Sequence, residues 1–195
     1  MFLLDKPFEV QRTPFWHFII NDALPSKLAK TLQKEYFEKE NSAVWNKFID
    51  LHTSRLNEIT NMLDEAFGLK SEQLSYKYGF PNSPANNGEL LRDWHIDSPT
   101  KKYHFLYYLG KSDPYGHTEF SEEPKGTNTK LIPFRHNRLI VFHNSHGEQG
   151  YGPKSWHRFY GKKLSHRMTW NMPLLFTGEE YEKRIQFLRD RSKNK

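Results

Sequence analysis

The sequence predicts an α+β, mainly β fold, in which N-terminal helices brace a sheet, sandwich or barrel. Two stretches ahead of residue 70 carry apolar residues at helical spacing. After Gly68, short β-favouring runs alternate with clusters of Pro, Gly, Asn and Ser. Strands and helices never alternate in the way a parallel sheet would require. The 195 residues suit a single domain with a substantial core, and 15% aromatic content favours packed side chains over disorder. The expected division is helical support over about 1–70, a β core over about 71–177, and a C-terminal helix or tail over 178–195.

Taken in order, MFLLDKPFEV breaks its apolar run at Asp5 and Lys6, and no later stretch approaches the ~20 apolar residues of a membrane span. This reads as a soluble, cytoplasmic protein without a signal peptide or a membrane partner. Residues 21–40 place Leu24, Leu28, Leu32 and Tyr36 at four-residue steps, with Asn21 or Asp22 as cap and Pro25 in the first turn. A second helix, SRLNEITNMLDEAFG, sets Leu56, Ile59, Leu63 and Phe67 on one face, with Ser54 as N-cap and Gly68 as the left-handed stop. The strand candidates are QLSYKYGF, KYHFLYYLG, NRLIVFHN and HRMTWNMPLLF. GEEYEKRIQFLRDRSKNK closes the chain as a helix with a basic end.

The absence of cysteine excludes disulfides, thiol nucleophiles and Cys-bound metals, so any metal must be held by His, Asp or Glu. A net charge of +6 permits nucleic-acid association without indicating it, because no nucleic-acid-binding motif accompanies the charge.

His95 and Asp97 stand two apart at the head of KYHFLYYLG. On a strand they would share a face, giving two metal ligands from one element. His117/Glu119 and His146/Glu148 have the same His-x-acid form. The latter lies in a glycine-containing loop, and the former begins a segment, GHTEF, with no aromatic strand after it. The third ligand is open among His143, His146, His157 and His166. Two imidazoles and one carboxylate on one face suit non-haem iron(II), with three positions left for other ligands. His157 is followed ten residues later by Arg167, whose fixed guanidinium could meet a carboxylate deeper in the pocket, and Thr169 would share the face of Arg167. His17 reads as a packed core residue, and His104 and His136 as strand or turn polar residues. Lys101 and Lys102 read as a solvated turn ahead of the alternative that they meet an acidic or peptide substrate at the rim. Trp94 and Trp156, each next to a candidate ligand, should face away from the metal as packing residues.

Together, HID, FLYYLG, NRLIVF, SWHRF and HRMTWNM resemble the 2-oxoglutarate- and iron(II)-dependent oxygenases, particularly their prolyl-4-hydroxylase-like branch, over roughly residues 74 to 176. The resemblance implies a double-stranded β-helix (jelly-roll) core and iron ligands His95, Asp97 and His157. It implies Arg167, Tyr108 and Thr169 as the 2-oxoglutarate-binding residues. It further implies dioxygen as co-substrate, ascorbate as reductant, and hydroxylation of an unactivated C–H, with succinate and carbon dioxide as co-products. The implied substrate is a prolyl residue of a protein or peptide; a small molecule or nucleobase would suit the same chemistry. The loop HNSHGEQGYGPKSW is longer than the family's usual turn, which keeps His143 and His146 in play, although ten residues beyond them stand Pro153 and Trp156 rather than a cation. GHTEF replaces the family's common Gly-Gly run, and Glu119 there reads as a strand residue. Two rival classes remain: a non-catalytic metal-binding β domain, and a basic nucleic-acid-binding domain with an incidental His-x-Asp.

Overall fold

A computed structural model of the chain describes residues 6–35, 43–72, 74–76, 80–82, 93–111, 116–148, 152–161 and 168–193. In order the elements are β1 (His17–Ile20), α1 (Ser26–Lys34), α2 (Ala43–Ser54), α3 (Leu56–Phe67), β2 (Leu74–Tyr76), β3 (Phe80–Asn82) and β4 (Lys101–Tyr108). There follow β5 (Gly116–Ser121), β6 (Lys130–Pro133), β7 (Arg138–His143), β8 (Trp156–Gly161), β9 (Thr169–Phe176) and α4 (Gly178–Lys193). The larger sheet runs β1-β7-β4-β9-β2, with β3 also on β9, and the smaller runs β6-β5-β8; every strand pairing among the described residues is antiparallel. No described helix is long and apolar enough to cross a membrane.

The sequence-based reading differs from this at several places. β1 precedes all the helices and pairs with β7, so the first 70 residues are not purely helical. Its four residues, HFII, are too few to show a period by themselves; pairing with Leu139–Phe142 makes them a strand. The helix expected over 21–40 begins at Ser26, after Pro25, and its described part ends at Lys34, so the Tyr36 step lies outside the described residues. Asp22, offered as a cap, instead adopts a φ of 52° upstream. α2 was not anticipated, and it absorbs Ser54, so α3 is preceded by Arg55; its stop at Gly68, φ 69°, is the expected left-handed one.

Alternation along β4 divides two cores. Tyr103, Phe105 and Tyr107 pack towards the helices with Val141 of β7 and Trp170 and Met172 of β9. Leu106 and Tyr108 face the smaller sheet and meet Phe120, Ile132, Ile140 and Phe142. The helices cover the outer face of the larger sheet. α2 buries Trp45, Phe48 and His52, with Trp45 stacked on Trp170 at 4.2 Å, and α3 buries Ile59, Leu63 and Phe67. Fully burying each such aromatic or aliphatic side chain contributes about 1.5–3 kcal/mol.

A register shift between Lys101 and Tyr103 marks a bulge in β4. It inverts the parity of the residues before it, as an extra residue must. Lys101 turns towards the space between the sheets, while Lys102 goes to the helix side, where its Nζ lies 2.6 Å from Asp64 of α3 and 2.8 Å from Glu72. Lys102 is completely buried, which corrects the expectation of a solvated turn.

His17 and His52 are buried, and burial pushes each down to about 4 against the opposing effect of Nδ1 bonds to the Phe15 and Phe48 carbonyls. Unfolded histidine titrates near 6.5, so between pH 6.5 and 4 the unfolded chain binds more protons than the folded one. Their stabilising contribution is complete above pH 6.5 and is lost as pH falls towards 4, by about 3 kcal/mol per histidine. Urea unfolding at pH 7 and pH 5 should show a lower midpoint at pH 5, and the drop should shrink in His52→Gln. An acid-insensitive midpoint would contradict this burial.

Candidate metal centre

Asp93 to Thr100 lead into β4 without forming a strand of their own. Among the described residues, the regular pairing of this segment is an isolated bridge in which His95 N–H donates to the His157 carbonyl at 3.1 Å and His157 N–H donates back at 3.0 Å. The expected strand at 95–97 is therefore a single rung. That rung still places the two histidines side by side, their ring centroids 4.4 Å apart.

The two imidazoles are oriented by the same device. His95 Nδ1 bonds the Asp93 carbonyl and His157 Nδ1 bonds the Ser155 carbonyl, both at 2.9 Å. A carbonyl can only accept, so each Nδ1 carries a proton, and in the neutral ring each Nε2 presents a lone pair. One ligand atom from each of His95, Asp97 and His157 lies within 4.8 Å of the others, the tight grouping of its kind among the described residues. Asp97 Oδ2 is 3.4 Å from His157 Nε2. A lone pair turned towards a carboxylate is an arrangement that a cation between them resolves. On this geometry the donor set fits a divalent metal, and two imidazoles with one carboxylate suit iron(II).

The carboxylate is held from several sides. Lys101 Nζ donates to Asp97 Oδ1 at 3.1 Å, and His146 Nε2 donates to the Asp97 carbonyl at 2.8 Å. His104 Nε2 lies 2.8 Å from Oδ2. Burial would raise the Asp97 pKa, but His104 and His157 outweigh it and hold the carboxyl well below the usual range. Burial lowers the pKa of His104, with Asp97 opposing.

An inner cavity of about 160 Å³ opens from these residues between the two sheets, lined further by Leu106, Thr118, Phe142, Phe159, Thr169 and Asn171. Drug-sized ligands occupy roughly 300–1,000 Å³, so this space suits a small molecule. Thr169 faces Tyr108 across the β4–β9 pairing. The Tyr108 hydroxyl donates to Thr118 Oγ1 at 2.5 Å, so Tyr108 reaches the cavity wall through Thr118. Arg167 and His166 lie outside the described residues. On the other side of His95 and Asp97 is a wider groove of about 690 Å³, walled by Trp94, Ile96, Pro99, Trp156, Phe187 and Leu188. The two tryptophans thus turn away from the inner cavity but wall the groove that His95 and Asp97 also line, rather than facing away from the candidate metal residues as expected. Arg158 lies over the Trp94 ring at 4.4 Å while its Nε donates to Glu119 at 2.7 Å.

The competing histidines go elsewhere. His143 is buried on the helix side among Trp16, Phe67 and Tyr103. His146 is engaged with the Asp97 backbone, and Glu148 pairs with Arg184 of α4 at 2.9 Å. Glu119 is a strand residue of β5 paired to Arg158, as expected. His136 bonds turn carbonyls of Leu109 and Gly110. Sequence reasoning missed His104, Lys101 and Thr118 at the cavity. His104 was legible in principle, because it stands four residues before Tyr108 and therefore on the same strand face.

No family model matches the sequence. No curated protein matches it either. Among solved structures, the chain superposes on a prolyl-4-hydroxylase from Pseudomonas putida with a TM-score of 0.56 at 10% identity, covering 83% of this chain and 93% of that one. The collagen prolyl hydroxylase of Paramecium bursaria Chlorella virus-1, in complex with 2-oxoglutarate, gives 0.55 at 11% identity, covering 83% and 96%. The non-haem α-ketoglutarate-dependent epimerase of nogalamycin biosynthesis gives 0.55 at 9% identity, covering 82% and 76%. The chain therefore has the fold of prolyl 4-hydroxylases and other 2-oxoglutarate–iron(II) oxygenases.

Proposed function

We propose that the protein is a 2-oxoglutarate- and iron(II)-dependent dioxygenase that hydroxylates an unactivated C–H, releasing succinate and carbon dioxide. The observation that carries this reading is the meeting of two Nε2 lone pairs and one carboxylate within 4.8 Å, where a small inner cavity joins a wider groove. His95, Asp97 and His157 would hold the iron, an incomplete donor set that leaves positions for exchangeable ligands. Bound iron supplies the activation of dioxygen and the oxidative decarboxylation of the co-substrate. On this reading the two sheets are the layers of a double-stranded β-helix, with the site between them.

The protein's part is to hold and to aim. Lys101 fixes Asp97 Oδ1, which favours a carboxylate bound through its other oxygen. The inner cavity takes 2-oxoglutarate, with Thr169 on its wall and Tyr108 acting through Thr118. Arg167 is the cation we assign to the distal carboxylate, because a permanently charged fork satisfies a buried carboxylate in two places at once.

The substrate we favour is a prolyl residue of a protein or peptide. The likeness of fold to two prolyl hydroxylases supports it, as does a groove open enough for a chain segment with Trp94 and Trp156 available to pack on a pyrrolidine ring. The epimerase of the same fold keeps a small-molecule substrate as the second reading. Incubation of proline-containing peptides with protein, iron(II), 2-oxoglutarate and ascorbate should give a peptide heavier by one oxygen, together with succinate. Stoichiometric succinate from a small molecule, with no peptide modified, would retain the chemistry and reject the prolyl assignment.

A further inference from the structure

The His-x-acid pair at His146 and Glu148 is no part of the metal grouping, yet it leads to it. His146 Nε2 lies 2.8 Å from the Asp97 carbonyl; a carbonyl only accepts, so this nitrogen carries the proton and offers no lone pair to a metal. The contact falls where the backbone lacks other support. The ladder ends at the His95–His157 rung, and among the described residues no backbone–backbone hydrogen bond holds Asp97 itself. Lys101 fixes one oxygen of the Asp97 side chain, and His146 fixes the main chain.

His146 is placed in turn by Glu148. Gly147, at φ 85°, takes the left-handed turn that brings Glu148 Oε2 back to accept the His146 N–H at 2.9 Å. The other oxygen, Oε1, accepts from Arg184 Nη1 of α4 at 2.9 Å. Arg184 is buried, its Nε donates to Glu180 at 2.8 Å, and its guanidinium lies 4.3 Å over the Phe176 ring at the end of β9. A buried guanidinium held on three sides is a fixed anchor, unlike an exposed ion pair.

We propose that Arg184, Glu148 and His146 are positioning residues that carry the placement of α4 to Asp97, so that the C-terminal helix sets the backbone of a metal ligand. The proposal rests on the reading of His95, Asp97 and His157 as metal ligands and extends that site to a helix that supplies no ligand. Charge and position pull in opposite directions at Arg184. Removing a nearby cation favours a divalent metal by Coulomb's law, whereas removing the anchor of a ligand weakens it.

Titration calorimetry with Mn(II), run below the onset of each variant's thermal melt, tests this on wild type, His146→Leu, His146→Gln and Arg184→Met. His146→Leu should bind Mn(II) about tenfold more weakly, the lower end of what losing a contact behind a ligand costs. His146→Gln, which keeps an N–H donor, should recover most of that loss. Arg184→Met should also bind more weakly, and the double variant Arg184→Met, His146→Leu should be no weaker than His146→Leu alone, because both act through one contact. The visible spectrum of bound Co(II) should change in His146→Leu and Arg184→Met and return in His146→Gln, a signature that lost stability alone does not produce. Unchanged or tighter Mn(II) binding in Arg184→Met, equal loss in Leu and Gln at position 146, or additive losses in the double variant would overturn the proposal. A wild type that binds no Mn(II) rejects the metal centre itself, and the proposal with it. If Arg184→Met lacks a cooperative melt, Arg184→Gln makes the same comparison.

Discussion

Replacing Asp97 with alanine should weaken binding of Mn(II) or Co(II) by at least about 100-fold, the upper end of what losing even an indirect metal contact costs. Asp97 is the only carboxylate of the three-residue grouping, so its loss leaves two neutral imidazoles and no anion to offset a divalent charge. The substitution also leaves Lys101 and His104 facing a site with no counter-charge. Asp97→Asn, which preserves volume, separates these effects: it should lose metal almost as severely while melting closer to wild type. Titration calorimetry reads both variants. Wild-type affinity in either one would remove Asp97 from the metal centre.

Lys102→Met should destabilise the fold by about 3–5 kcal/mol, the usual cost of removing one partner from a buried charge cluster. Lys102 is completely buried, and its ammonium meets Asp64, Glu72 and the Lys70 carbonyl, while the Tyr103 hydroxyl also donates to Asp64 at 2.5 Å. Removing the cation strands carboxylate charge between α3 and β4. The triple variant Lys102→Met, Asp64→Leu, Glu72→Gln should regain most of the loss, because an apolar substitute for a whole buried charge cluster is often close to neutral. Equilibrium urea unfolding measures both. A single variant within about 0.5 kcal/mol of wild type, the range of ordinary surface substitutions, would show that the lysine is not buried with these partners.

The legible parts of the site were those written as local pattern. The pair at 95 and 97 and the strand alternation of KYHFLYYLG carry their geometry in their spacing, and both metal-side histidines appear as HID and SWHRF. What the sequence hid was set by partners distant in the chain. The strand character of 95–97 depends on β8 and shrinks to one rung because only His95 meets His157. The bulge at Lys102 depends on the register of β9, and it is the bulge that sends Lys101 to Asp97 and Lys102 to Asp64. β1 is a strand because β7 has a free edge for it. His104 escaped notice because a histidine within an aromatic strand reads as an ordinary strand polar residue until Asp97 is seen opposite it.

The most direct test of the central claim is calorimetric binding of N-oxalylglycine to the purified wild-type protein with and without Mn(II). The account predicts saturable binding at one site per chain that requires the metal and disappears in Asp97→Ala. Binding that is indifferent to metal, that persists in Asp97→Ala, or that is absent from the metal-loaded wild type would contradict it.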